Sequence, residues 1–135
     1  MEEKECLQQI AILLQKRYNG LNEIESITRQ LQDALGYDDV VSIRMLIVMR
    51  QQEMDSIDQI NAQYKEALEG LTEAQKKALK TGNTDPFSGE NAAMIQKIAE
   101  IQQKNTRLLE RLIEQDKIVN RKLAGDKSYY EQNKR

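Results

Sequence analysis

Gly36-YDDVVSIRMLIVMRQQEMDSI-Asp58 is the stretch on which the fold turns. It begins with a break, Gly36-Tyr37-Asp38, in which Gly36 suits the left-handed position that ends a helix. Asp38 or Asp39 can then cap a new one. The apolar run that follows, Val40 to Met49, holds Arg44 and is closed by Arg50 before the chain turns polar at Gln51-Gln52-Glu53. A turn this short makes the helices on either side antiparallel neighbours.

Before the turn, Leu7, Ile10, Leu14, Leu21, Ile24, Leu31 and Leu35 recur at helical steps and form one stripe. Arg17 and Thr28 fill two of its slots, and Tyr18 and Ile27 widen it. The spacing predicts one long helix from about Glu3 to Leu35, with Gly20 allowing a local bend. After the turn, Ile43, Leu46, Ile47, Met54, Ile57, Ile60, Tyr64 and Leu68 predict a second helix from about Asp39 to Leu68. Arg50 stands in a slot of that stripe and must pair with an acid or reach for solvent. The apolar half, Val41 to Met49, is expected to be the scaffold of the hairpin, held between both other long helices.

Glu69-Gly70-Leu71-Thr72 is a second break, and Thr72 and Gln75 have the spacing of a capping box. A short helix from Glu73 to Lys80 is expected, with a bent continuation of the second helix as the alternative. Thr81 to Gly89, TGNTDPFSG, carries the only Pro and is a loop. Phe87 either plugs the end of the bundle or faces a partner, and plugging is the preferred reading. The last helix is expected from about Glu90 to Leu123. Met94, Ile98, Ile101, Leu108, Leu112 and Val119 form its stripe, which Ile95, Leu109 and Ile113 widen and Asn105 and Gln115 interrupt. A polar residue in such a seam fixes register.

The expected fold is therefore all-α: an elongated antiparallel helical hairpin plus a third long helix, a coiled-coil-like three-helix bundle. Residues 1–124 form the single domain, and 125–135 are expected to be a disordered tail. Of the 135 residues, 39% are hydrophobic and 31% charged, with one Phe and no Trp, which favours long helices with a thin core.

Composition also narrows the chemistry. The chain has no histidine, which removes the commonest general base and nitrogen metal ligand. Cys6 is the only cysteine, so neither an internal disulfide nor a cysteine zinc cluster can form. Asp55-Asp58 and Glu110-Glu114 pair carboxylates on helix faces but lack the Glu-x-x-His of di-metal bundles. No phosphate loop, catalytic constellation, metal site or cofactor is expected, so the chain reads as a binding protein and not an enzyme. With a net charge of −2 and no basic face interleaved with aromatics, nucleic acid is not expected as a partner. Lys117, Arg121, Lys122, Lys127, Lys134 and Arg135 make the C-terminal end basic, which suits a helix dipole. The Val40–Met49 run is too short to span a bilayer, Glu2-Glu3-Lys4-Glu5 is not the start of a signal peptide, and one thiol suits a reducing cytoplasm.

What remains is an apolar groove that takes an amphipathic helix. The long first helix, the acidic turn Gly36-Tyr37-Asp38-Asp39, the stretch VVSIRMLIVMRQQEMDSIDQI, the long last helix and the tail SYYEQNKR together resemble flagellar export chaperones of the FlgN type, with the FliT type close behind. The resemblance implies a cytosolic chaperone that holds the terminal helices of flagellar hook-associated or filament-cap proteins until export. It implies client contacts at Ile101, Leu108, Leu109, Leu112 and Ile113, and docking to the export gate through Tyr129 or Tyr130. The tail departs from the family in having Gln132-Asn133 where a Gly usually follows the tyrosine. The competing expectation is a structural coiled-coil adaptor that acts as a homodimer without a client.

Overall fold

The structure is a computed structural model that describes the backbone of residues 2–133 and the side chains of residues 2–123. It is all-helical among the described residues. Four α-helices follow in order: α1 (Glu3–Gly36), α2 (Val40–Leu68), α3 (Glu73–Thr81) and α4 (Ala92–Asn133), with a single 3-10 turn, Gly89–Asn91, leading into α4.

Helix α1 forms as its stripe predicts, unbroken through Gly20. Gly20 serves packing, not bending: a Cβ there would lie 3.2 Å from Ile57 Cγ1, so its absence lets α2 approach. Glu3 and Glu5 in the first turn complement the helix dipole. The turn after α1 differs in one residue from expectation. Gly36 is still helical, and the left-handed residue is Asp38, at φ 54°. Asp38 N–H donates to Leu35 O (3.4 Å) and Asp39 N–H to Ala34 O (3.1 Å), the pair of bonds that satisfies the last carbonyls of a helix. Asp39 then caps α2, accepting from Ser42 N–H at 3.2 Å and from the Ser42 hydroxyl at 2.7 Å. Both bonds hold its carboxyl below the usual carboxylate range. One three-residue turn thus ends one helix and starts the next.

Helix α3 starts on the expected capping box. Gln75 N–H donates to Thr72 Oγ1 (3.1 Å), and Thr72 N–H donates to Gln75 Oε1 (3.0 Å). The helix ends at Gly82, left-handed at φ 78°. Phe87 is buried, so it plugs the end of the bundle. Helix α4 continues to Asn133, ten residues beyond the expected end at Leu123. Gly125 does not stop it: an interior Gly costs only about 1 kcal/mol, and no Pro follows. The tail expected over 125–135 overlaps this helix, and its side chains lie outside the described residues.

The central helix is α1, not α2. It packs along α2 on one side and α4 on the other, and it buries twelve residues against three in α2. The core falls into three apolar clusters. The first, at the α3 end, joins Leu7, Ile10, Leu14, Leu79, Phe87 and Ile98 among others. The second holds Leu21, Ile24, Ile57, Leu108 and Leu112. The third, by the α1–α2 turn, is small: Ile27, Leu31, Ala34, Leu46 and Val119.

Polar layers separate these clusters. Between the first two, Asn105 is buried and donates to Leu14 O (3.2 Å) and Ile101 O (2.9 Å). Arg17 donates to Asn105 Oδ1 at 3.4 Å and Asn61 Oδ1 at 3.2 Å, and lies 5.5 Å from the Tyr64 ring centre. Gln102 donates to the Tyr64 hydroxyl at 2.6 Å. Nearer the turn, Arg50 pairs with Asp116 across α2 and α4. Buried Glu25 accepts from Arg29 at 2.9 Å and from Arg111 of α4 at 3.1 Å. Each layer matches one pair of polar groups to its partners in a single register.

Candidate functional site: an uncovered apolar helix face

The start of α2 lies at the thin end of the molecule, where only α1 and α4 pack and α3 does not reach. Its ten residues from Val40 to Met49 are apolar nearly all round, and such a helix needs cover on every side. Here only Leu46 is buried. Ile43 and Arg50 share its inward side. Val41, Met45 and Val48 recur at steps of four and three on the outer side and are 77%, 57% and 56% exposed. Val40, Ile47 and Met49 are also exposed, and Tyr37 stands free in the turn beside them. The scaffold role expected for Val41–Met49 is therefore corrected. Helix α2 lies close along α1 alone and meets α4 only through a few side chains, so it can bury only part of an all-round apolar surface.

Helix α4 carries a second pair of exposed apolar residues. Leu109 and Ile113 of α4 are 48% and 49% exposed. They precede Asp116 by seven and three residues, which puts all three on one helix flank. Asp116 reaches Arg50 of α2, so this flank of α4 borders α2. Ile47 stands one turn before Arg50 on the α2 side. The Arg50–Asp116 pair thus lies on the inward side of α2, away from the outer stripe. Burial pulls the Arg50 guanidinium below its ordinary pKa, although an arginine keeps its charge.

The five α4 residues expected to meet a partner divide. Leu108 and Leu112 belong to the second core cluster and Ile101 to the first. Their burial is the correction: these three hold α4 on α1 and offer no free surface. Leu109 and Ile113, one position on, are the exposed members. Of the residues that widen the stripe, Ile95 is buried at the thick end, where α3 and the loop add cover, whereas Leu109 and Ile113 face outward. Tyr129 and Tyr130 lie outside the described side chains.

The residues missed by periodicity are Val40, Val41, Met45, Val48 and Met49. Their signal was present: ten residues with only Ser42 and Arg44 breaking an apolar run carry no single stripe, so a lone partner helix cannot cover them. Two grooves flank α1. One, between α1 and α2, has Cys6 at its base, where the thiol donates to Ala67 O at 3.0 Å. The other, between α1 and α4, is lined by Ala11, Ile12, Met94 and Ile101. No described helix is long and apolar enough to cross a membrane.

The fold and site together define a helical bundle with an uncovered apolar helix face. No protein-family model matches the chain, and neither does any curated protein or solved structure.

Proposed function

We propose that the chain is a helix-binding protein that works as a cytoplasmic export chaperone, holding the amphipathic terminal helix of a flagellar hook-associated or filament-cap subunit before secretion. The observation that carries this reading is the outer face of α2, with Val41, Met45 and Val48 uncovered; Leu109 and Ile113 of α4 are further exposed apolar residues. Soluble chains rarely leave a contiguous apolar patch open without a partner for it. An amphipathic helix is the partner such a strip fits, since its own i, i+3, i+4, i+7 residues match the spacing. The resemblance to FlgN-type chaperones supplies the client class. The finer architecture, a coiled-coil-like three-helix bundle built on an elongated hairpin, belongs to the same proposal, as does the absence of any catalytic role.

Co-elution of the full chain with a purified hook-associated subunit in size-exclusion chromatography tests the reading, and failure to form a complex sinks it. Variants locate the contact. Leu109→Asp with Ile113→Asp is expected to stay folded by circular dichroism and to lose the complex. Leu108→Asp with Leu112→Asp is expected to unfold the chain, because each buries a carboxylate in the second cluster.

One observation favours a second reading, a homodimeric structural adaptor: the four-then-three spacing of Val41, Met45 and Val48 is that of a coiled-coil seam. Sedimentation of the free chain separates the two, since a tight dimer closed over this stripe leaves no site for a client.

A further inference from the structure

The charges around the apolar stripe carry the reading further, to the kind of helix it accepts. Asp38 and Asp39 precede the stripe, and Asp55 and Asp58 follow it; all four are exposed. Asp55 lies seven residues beyond Val48 and so continues the same outer face. Asp33, exposed on α1, lines the hollow beside Tyr37 and Asp39. The cations of the stretch do not balance them. Arg50 is taken by Asp116, and Arg44 is exposed beside the middle of the stripe, a single cation among these acids.

A second copy of the chain fits this pattern badly. An antiparallel two-fold pairing that buries the whole stripe sets Val41 against Val48 of the other copy and leaves Asp38 opposite Gln51, so the acid there meets no cation. A parallel pairing lays Arg44 beside Arg44 and Asp55 beside Asp55. Neither gives the acids at the ends of the stripe a complementary charge, which a basic partner would supply.

We propose that this face of α2 docks an amphipathic partner helix with an apolar stripe about two turns long and basic residues at both of its ends. The proposal rests on the helix-binding function above and adds the charge of the partner. The apolar strip supplies the contact, and the acid at each end fixes the position of the docked helix along α2. Lys or Arg ends on the docked helix would reach Asp38–Asp39 at one end and Asp55–Asp58 at the other. Arg44 would meet a neutral or acidic residue at the middle.

Two synthetic helical peptides with the same Leu and Ile stripe test it, one with Lys at its ends and one with Glu, titrated against the full chain by fluorescence anisotropy. The Lys peptide is expected to bind about ten-fold tighter at low salt, with the gap closing as ionic strength shortens the screening length. Met45→Gln with Val48→Gln is expected to abolish binding of both peptides without moving the thermal transition, since both side chains are exposed. Asp55→Lys with Asp58→Lys is expected to narrow or invert the preference.

Equal binding of the two peptides, lost in the Met45/Val48 variant, overturns the charge selectivity and leaves the helix-binding function standing. Binding that survives that variant overturns the location. If neither peptide binds, both the proposal and the function it rests on fall; a dimer that the same variant dissociates would then assign the face to a second copy.

Discussion

At the scale of single residues, the polar groups inside the bundle matter most. Arg50 is almost buried, whereas Asp116 keeps access to solvent. The two ends of this pair therefore respond differently to removal. Asp116→Ala leaves a desolvated guanidinium without its counter-charge and is expected to cost about 2–3 kcal/mol, at the low end for buried pairs because Asp116 is partly hydrated. Arg50→Leu leaves a carboxylate that water can reach and adds apolar contact. It is expected to be neutral or mildly stabilising, and urea denaturation of both variants and the double mutant checks the asymmetry. Cys6 offers a pH test. Burial pushes its thiol up. A raised folded pKa means that the thiol contributes stability in full below the unfolded value, about 8.5. That contribution is lost as pH rises through the higher folded value. Thiol-reactive dye at pH 8.5–9 should therefore label the native chain slowly and the urea-unfolded chain fast; equal rates would contradict the burial.

At the scale of elements, the turn between α1 and α2 concentrates the local chemistry. Asp38 holds a left-handed conformation that costs a side-chain-bearing residue up to about 1–2 kcal/mol, and less for Asp than for most. Asp38→Gly is expected to raise the melting temperature by a few degrees, read by calorimetry, because Gly carries no such cost. The expected position for the left-handed residue was two earlier, at Gly36. Local sequence identified the turn and the cap, but which residue turns left depended on where α1 stopped. The same division runs through the other elements. The capping box Thr72–Gln75, the stripe of α1 and the plug of Phe87 were all legible, since each depends on residues within one or two helical turns or on a lone aromatic. Leu108 against Leu109 was not legible. Both are Leu, adjacent, and the angle at which α4 meets α1 decides which is buried. Gly125 misled for a related reason: a glycine marks a helix end only when the chain beyond it cannot continue.

At the scale of the whole molecule, the unequal thickness of the core explains both the uncovered face and its position. Four elements meet at one end, whereas at the other α2 lies along α1 and meets α4 only through a few side chains. Sequence periodicity does not see this, because it assigns each helix a face without counting the helices available to cover it. The polar layers add order along the axis, since a slip of α2 by one heptad would set Arg50 against Ile57's neighbours and strand Asp116. The thick end is also closed in an unusual sequence order. Glu3 accepts from Gln75 Nε2 (3.2 Å), Ser88 N–H (3.0 Å) and Asn91 Nδ2 (2.5 Å), partners 72, 85 and 88 residues further along the chain. This end of α1 is thus closed by residues far along the chain. Helices α1 and α2 are joined by a short turn, but the cluster around Leu7 and Ile10 is completed only by Leu79, Phe87, Ile95, Ile98 and Ile101. A chain truncated after α2 would therefore leave the largest apolar cluster open, and it is expected to bind a hydrophobic dye that the full chain does not.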